Sequence, residues 1–567
     1  MNNPANSRSV LILALLSLSM MLHAQLSLDW AISQGSKVSD FPGTLQQDDQ
    51  GHLYSFVLIP DTADLDPGMG ENILIPSYDR AGVLSRWTTT GEYLWSSTFE
   101  CPTVISGGLM QVKDNQMLLY FQYTDSLVYT HAGFQTILSV HAGNHLCVVR
   151  LDLNGNVDYF KDIHEGTNMY ISYLKANDDG LIVAGGGFED NITLQSETGV
   201  ITASSNGLYD AYIAYFTPDF NALRLQTLGG KGSDYIENLH VADERAYFAI
   251  VYDDTLIINH GQQTETFPAN GKENGLFGYV TADNNDIVAY SFGGDLSDEL
   301  RSIAADEAGN IYVCGSFEGT VNFEHPAAPP VIFTSVNGPD GFISKYYPDG
   351  HLAWTRIFKD SKYGGLHHLQ LHRDNQIYLA GGYNGHTDLD PGADSIIVET
   401  TNWGDIYTVK FDTDGDMKWV YSFSGPDLEG ISELTISPEG RVFLMGFHYD
   451  IFDADPSDQV LQLPNLGGTD MFIIGLTEEN VITATDDVAQ LTMLVYPNPA
   501  SEYVEIRTDS PIESVDLSNM QGVHIMRSKG NNGNTMHVDI HDLISGMYTL
   551  RIKSADQYTT RKFLKVN

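Results

Sequence analysis

The stretch that decides the fold is LRSIAADEAGNIYVCGSF, Leu300 to Phe317, read together with GFISKYYPDGHLAW, Gly341 to Trp354. Leu300 to Ala305 reads as a strand, and Asp306-Glu307-Ala308-Gly309-Asn310 as the polar turn that ends it. The β-branched and aromatic run from Ile311 is a second strand and Gly341 to Tyr347 a third. The hairpin Pro348-Asp349-Gly350 then leads into a fourth strand holding Trp354. Such turns need Asp, Asn or Gly because a positive φ is cheap only for them. Four short strands in succession make one antiparallel sheet.

This unit recurs. A large apolar residue stands at Trp30, Trp95, Phe160, Leu225, Tyr290, Trp354 and Trp419, in steps of 64 or 65. A second marker keeps the same phase: HLYSFVL, MLLYFQY, LIVAGGG, AYFAIVY, IYVCGSF, IYLAGGY and VFLMGFH begin at His52, Met117, Leu181, Ala246, Ile311, Ile377 and Val442. Two markers in phase over seven copies define a tandem repeat. One four-stranded sheet cannot bury both faces, whereas seven packed radially cover one another and leave short edges. The expected fold is therefore all-β, a seven-bladed β-propeller of four-stranded antiparallel blades, with a linear solenoid as the alternative. The first copy of the fourth strand, Leu26 to Ser33, precedes every first strand, so it is expected to complete the last blade.

Composition sets the surroundings. The formal net charge of −45 repels nucleic-acid phosphates and anionic lipid, which argues against either partner. Residues 1–24 read as a signal peptide, with Arg8 before an apolar run from Val10 to Leu22 and a cleavage point near Ala24. No later run is long and apolar enough for a transmembrane helix, so none is expected in the mature chain. Cys101, Cys147 and Cys314 are too few to organise the fold; Cys101 and Cys147 share one repeat and could pair, while Cys314 reads as a buried hydrophobe. The repeats occupy 25–476, a polar linker 477–492, and a last domain 493–567. That domain carries eight basic and eight acidic residues, so the acidic excess lies before it.

Two resemblances follow from these residues. Gly-Gly after the fourth strand (Gly229-Gly230, Gly293-Gly294) and Gly-x-x-Asp before the third (Gly207 to Asp210, Gly467 to Asp470) make the repeat similar to the bacterial β-propeller repeats called SBBP. That resemblance implies a fold and an extracellular setting, not a chemistry. The last segment runs from LVYPNPA at Leu494, through LISGMYTL at Leu543, to KFLKV at Lys562. Read physically it is a small β-sandwich, and it resembles the C-terminal sorting domain of type IX (Por) secretion substrates. The resemblance implies the type IX machinery as a partner and delivery through the periplasm to the cell surface or medium.

Chemistry is sparser. H-E-x-x-H, Gly-x-Ser-x-Gly and Walker patterns are absent. Asp-x-Asp-Pro recurs at one phase, as Asp64 and Asp66, Asp388 and Asp390, and Asp453 and Asp455; paired carboxylates suit Ca²⁺, the one cofactor suggested, although a turn cap before Pro needs the same residues. Asp412, Asp414 and Asp416 start like a Ca²⁺ loop but lack the closing Glu, which leaves a hairpin. His367, His368 and His372 lie on a first strand, where a propeller lines its channel, and are expected to be solvated there. With no catalytic residues assigned, the expectation is a non-catalytic binding or adhesion protein for an extracellular glycan or protein. The alternatives are a polysaccharide hydrolase or lyase with a site on one propeller face, and a structural surface component.

Overall fold

The computed structural model describes residues 25–479 and 494–565, apart from stretches of one to four residues. The expected signal segment, most of the expected linker and Pro497-Asn498-Pro499 lie outside the described residues. Those described form β-strands and no helix. Internal contacts divide the chain into two compact units, Met1–Val481 and Ile482–Asn567.

In the first unit, four-stranded antiparallel meanders follow one another. The fifth consists of Asp298–Ala305, Ile311–Phe317, Asp340–Tyr346 and Leu352–Phe358. The sixth consists of Gly365–His372, Gln376–Tyr383, Asp405–Asp412 and Met417–Phe423. The seventh takes three strands, Glu429–Ile436, Val442–His448 and Asp470–Glu479, from the end of the unit and the fourth, Gln25–Gln34, from its beginning. That strand runs antiparallel to Asp470–Glu479, from Gln25 opposite Glu479 to Gln34 opposite Met471. The first two meanders are not separate sheets. Tyr93–Glu100 pairs with the upper half of Gln116–His131, from Ser97 opposite His131 to Glu100 opposite Val128, giving one eight-stranded sheet.

Each meander packs on the next through its own apolar cluster. The one joining the seventh to the first contains Phe443, Met445 and Ile473 with Leu45, Val57 and Val83. The first strands also touch in order, and Glu429–Ile436 packs on Phe41–Gln47. Outside, the recurrent aromatic of one meander reaches the last hairpin of the next. Trp30 Nε1 donates to Thr89 O at 2.9 Å, Tyr290 Oη to Pro348 O at 3.3 Å and Trp354 Nε1 to Thr413 O at 3.1 Å. Among the described residues this latch is made at three of the seven marker positions.

The glycine and aspartate markers cap the seams. Gly230 N donates to Asp234 Oδ2 and Gly294 N to Asp298 Oδ2, both at 2.6 Å. A Cβ on Gly229 would collide with Asp210, and one on Gly293 with Asn274. These carboxyls are fully buried, and burial pushes Asp234 and Asp298 up to about 7, against the opposing backbone hydrogen bonds. All three cysteines are buried thiols, so the pairing of Cys101 with Cys147 does not form. Both lie in the apolar cluster between the first two meanders.

Every first strand carries a register break at one place, as at Ile171/Tyr173, Ile236/Asn238, Leu300/Ser302, Leu366/His368 and Ile431/Glu433. The extra residue bends the strand and re-aims side chains. At the end where the second strand finishes, the second and third strands of each meander are joined through a further hairpin, such as Thr320–Asn322 with Ile332–Thr334. In the second and third meanders that hairpin is continuous with the sheet: Gln116–His131 with Phe134–Asp152, and Ile182–Ser196 with Gly199–Phe216.

The second unit has a sheet of Leu494–Tyr496, Tyr503–Arg507 and Thr535–Asp539 and another of His524–Lys529, Ile512–Asn519, Gly546–Ser554 and Gln557–Lys565. Val504, Ile506, Val515, Leu517, Leu550 and Phe563 form their common core.

Candidate functional site

The Asp-x-Asp-Pro residues sit at the tips of the small hairpins, each pair in a different meander. Asp64 Oδ1 accepts from Asp66 N at 3.1 Å and Asn72 N at 2.8 Å. Asp388 Oδ1 does the same for Asp390 N and Ile396 N, and Asp453 Oδ1 for Asp455 N and Leu461 N. The second aspartates close the following turn, Asp66 on Gly68, Asp390 on Gly392 and Asp455 on Ser457. In the fifth meander Asn322 Oδ1 takes Glu324 N and Val331 N in the same pattern, so an acceptor oxygen without charge suffices there. Asp412 Oδ1 receives Asp414 N and Asp416 N in a hairpin.

Beyond each register break, alternate residues of the first strands enclose a cavity of about 380 Å³. Tyr173, Lys175, Asn238, His240, His368 and Glu433 line it. Glu433 Oε1 lies 3.9 Å from His368 Nδ1, and Asn238 Nδ2 donates to Tyr173 Oη at 2.6 Å. Most of these groups are half-buried between the first strands, and the lost hydration dominates their titration. Burial raises Glu433 to about 7 against the pull of Lys175, lowers Lys175, and lowers His240 to about 4 and His368 to about 3. Both imidazoles are thus neutral at pH 7. His367 occupies the register break itself and is exposed. His372 turns instead to Asp374, at 2.6 Å, and to the Ser437 carbonyl, at 3.1 Å.

A second, more open space of about 790 Å³ lies between the two tall hairpins. One wall alternates strictly: Asn191, Thr193 and Gln195 are exposed, while Ile192 and Leu194 are buried. The other wall holds Val140, His141, His145, Asp162 and Glu165. His141, His145 and Asp162 each place a ligand atom within 4.8 Å of the other two, the one such group of three among the described residues. His141 Nδ1 is 3.1 Å from Asp162 Oδ2, and Tyr123 Oη donates to Asp162 Oδ1 at 2.8 Å. Asn168 joins the floor, its Oδ1 accepting from His164 Nε2 at 2.8 Å and its Nδ2 donating to the Asn191 carbonyl at 2.7 Å.

Sequence reasoning missed this groove. Its one linear trace is His141-x-x-x-His145, which in an unbroken strand would span about 13 Å and bind nothing jointly. The ladder loses register between Val140 and Asn144, which brings the two rings to 5.6 Å.

Comparison with known proteins bears chiefly on the other end of the chain. Residues 494–566 match the secretion system C-terminal sorting domain. The chain therefore ends in a sorting domain for type IX secretion, which delivers proteins to the cell surface or the extracellular space. A curated relative, an uncharacterized WD repeat-containing protein of Acanthamoeba polyphaga mimivirus, is 27% identical over 135 residues. That alignment takes in 22% of this chain and 10% of the relative, so the chain spans about a tenth of the relative's length. Among solved structures, a protein of unknown function from Dyadobacter fermentans aligns over 80% of this chain and 99% of its own at 8% identity, with a TM-score of 0.30. An apocarotenoid oxygenase variant from Synechocystis aligns over 77% and 94% at 13% identity and a TM-score of 0.35. A family 32 glycoside hydrolase from Bifidobacterium adolescentis aligns over 95% and 82% at 12% identity and a TM-score of 0.25. At these scores no activity passes to this chain.

Proposed function

We propose that the protein is an exported seven-bladed β-propeller of SBBP-like repeats, closed by its own N-terminal strand, that binds an extracellular ligand without transforming it. In this reading a signal peptide covers 1–24, the propeller 25–476, a linker 477–492 and the sorting domain 493–567. The groove between the two tall hairpins is the binding site. The observation that carries this is the alternating wall of Asn191, Thr193 and Gln195 facing the groove. Neutral amides and hydroxyls both donate and accept, which suits a hydroxyl-rich ligand such as a glycan. The test is a glycan array probed with the full exported chain. A glycan bound by the wild type and weakened at least tenfold by Asn191→Ala with Gln195→Ala, but not by His368→Ala, supports the site. Equal binding by the groove variant refutes it.

A second reading has one observation in its favour. Glu433, raised to about 7 by burial and lying beside His368 in a cavity that Lys175 also lines, has the properties of a general acid or base. Polysaccharide turnover abolished by Glu433→Gln would move the function from the groove to that cavity.

A further inference from the structure

We propose that His141, His145 and Asp162 form a transition-metal site of the Zn²⁺ class, open to the groove at its fourth position. The inference goes beyond the binding reading and does not depend on which ligand the groove takes. The donor set comes first. Two imidazoles and one carboxylate with one open position match the ligand set of non-structural zinc centres, whereas Ca²⁺ and Mg²⁺ take oxygen ligands.

Geometry comes second. Tetrahedral bonds of about 2.0–2.1 Å put neighbouring ligand atoms about 3.3 Å apart. His141 Nδ1 and Asp162 Oδ2 are already at 3.1 Å, and all three donors fall within 4.8 Å. Closing the site asks the donors to approach by no more than about 1.5 Å. The register break that creates it is held from across the ladder. Gly143 N donates to Asp125 Oδ1 at 2.9 Å, and Asp125 itself sits at φ 64°.

The supporting contacts come third. Tyr123 Oη binds the outer carboxylate oxygen of Asp162 at 2.8 Å and Ser139 Oγ at 2.6 Å, so Oδ2 is the oxygen turned towards the histidines. The Tyr123 ring stacks on His145 with centroids 5.4 Å apart, and His145 is 7% exposed. Outer-shell partners of this kind orient ligands and are found around metal centres. An exposed ion pair between His141 and Asp162 would need neither the buried His145 nor a tyrosine anchoring the far oxygen.

The test is calorimetric titration of the chelator-treated full chain with Zn²⁺, repeated with Co²⁺ to read coordination from its visible spectrum. We expect one equivalent bound, a tetrahedral Co²⁺ spectrum, and no competition from excess Ca²⁺. His141→Ala removes a side chain that is 64% exposed and is therefore unlinked to folding; it should weaken binding at least about tenfold, as should Asp162→Asn. His164→Ala, in the same groove, should leave binding unchanged. Wild-type binding no tighter than that of the His141→Ala, His145→Ala double variant, or an equal loss in His164→Ala, overturns the proposal. Glycan binding measured with and without chelator reports on the groove separately, so either reading can fail alone.

Discussion

In the fifth and sixth meanders the second and third strands are seven or eight residues long, and a separate ladder of three residues a side tops each pair. In the second and third meanders the same strands run for 15 to 19 residues without interruption. The short version spends its residues on the seams. Phe342 is fully buried between Phe292, Phe317 and Phe323, with centroids 4.9 to 6.2 Å apart. The long version spends them on walls, and Phe134, Ile137 and Val140 are 64 to 78% exposed. One repeat thus supplies both a scaffold and exposed walls, and the walls arise where the repeat departs from its own pattern.

The largest expected effect tests that division directly. Phe342→Ala removes a ring from the seam between the fourth and fifth meanders and should cost about 3–5 kcal/mol. Phe134→Ala, on the tall hairpin, should change stability by less than about 0.5 kcal/mol. Chemical denaturation of both variants measures the contrast. A comparable loss in the two would mean that the tall hairpin belongs to the folding core.

Next in size is a pH dependence to which the seams contribute. Asp234 and Asp298 have folded values of about 7 against the ordinary carboxyl value of 3.8. Their raised values mean that the folded chain holds these protons more tightly than the unfolded one. The contribution is whole below about pH 4 and is lost as pH rises through 7, on the order of 2–4 kcal/mol per group. Asn274 already fills the position beside Asp298 that Asp210 fills beside Asp234, which shows that an amide fits this kind of pocket. Asp234→Asn and Asp298→Asn should therefore flatten the fall of melting temperature between pH 5 and 8. An unchanged slope in both would show that these carboxyls do not control it.

Smaller again is a glycine pair that separates packing from backbone cost. Gly415 has φ 81°, and a Cβ there would lie 2.8 Å from the Trp354 ring, so Gly415→Ala should cost about 1–3 kcal/mol. Gly143, at φ 101°, has open space around its Cβ position, and Gly143→Ala should cost about 1 kcal/mol through the backbone alone. Thermal melts rank the two; the reverse order would show that the Trp354 latch adds no packing constraint at Gly415.

What was readable in the sequence follows the same split. Trp30, Trp354 and the capping Gly-Gly pairs repeat because each contacts an equivalent partner one unit away, so period alone exposes them. Seven copies of a seam leave seven copies of a signal. The groove has one copy of everything. His141, His145 and Asp162 meet only because a single ladder slips at Val140, and no periodicity marks a slip. The first-strand histidines fall between these cases. His368 follows the alternation onto the cavity, whereas His367, on the register break itself, stays exposed and does not line it, a shift that a pattern of alternate residues cannot foresee.

The smallest expected effect concerns residues that repeat without packing. Asp64, Asp388 and Asp453 each cap a hairpin tip through one carboxylate oxygen, and Asn322 performs the same capping with an amide oxygen. If the cap is the whole of their role, Asp64→Asn, Asp388→Asn and Asp453→Asn together should shift stability by no more than about 1 kcal/mol, since hydrogen-bond geometry is kept and only charge is lost. Melting each protein with and without Ca²⁺ gives the opposite outcome its chance. A calcium-dependent rise in melting temperature that disappears in the triple variant would make these carboxylates cation ligands, and would place a third kind of site on the short hairpins as well as the tall ones. A rise retained in the variant would assign calcium to other residues and leave Asn322 as the measure of what this position requires.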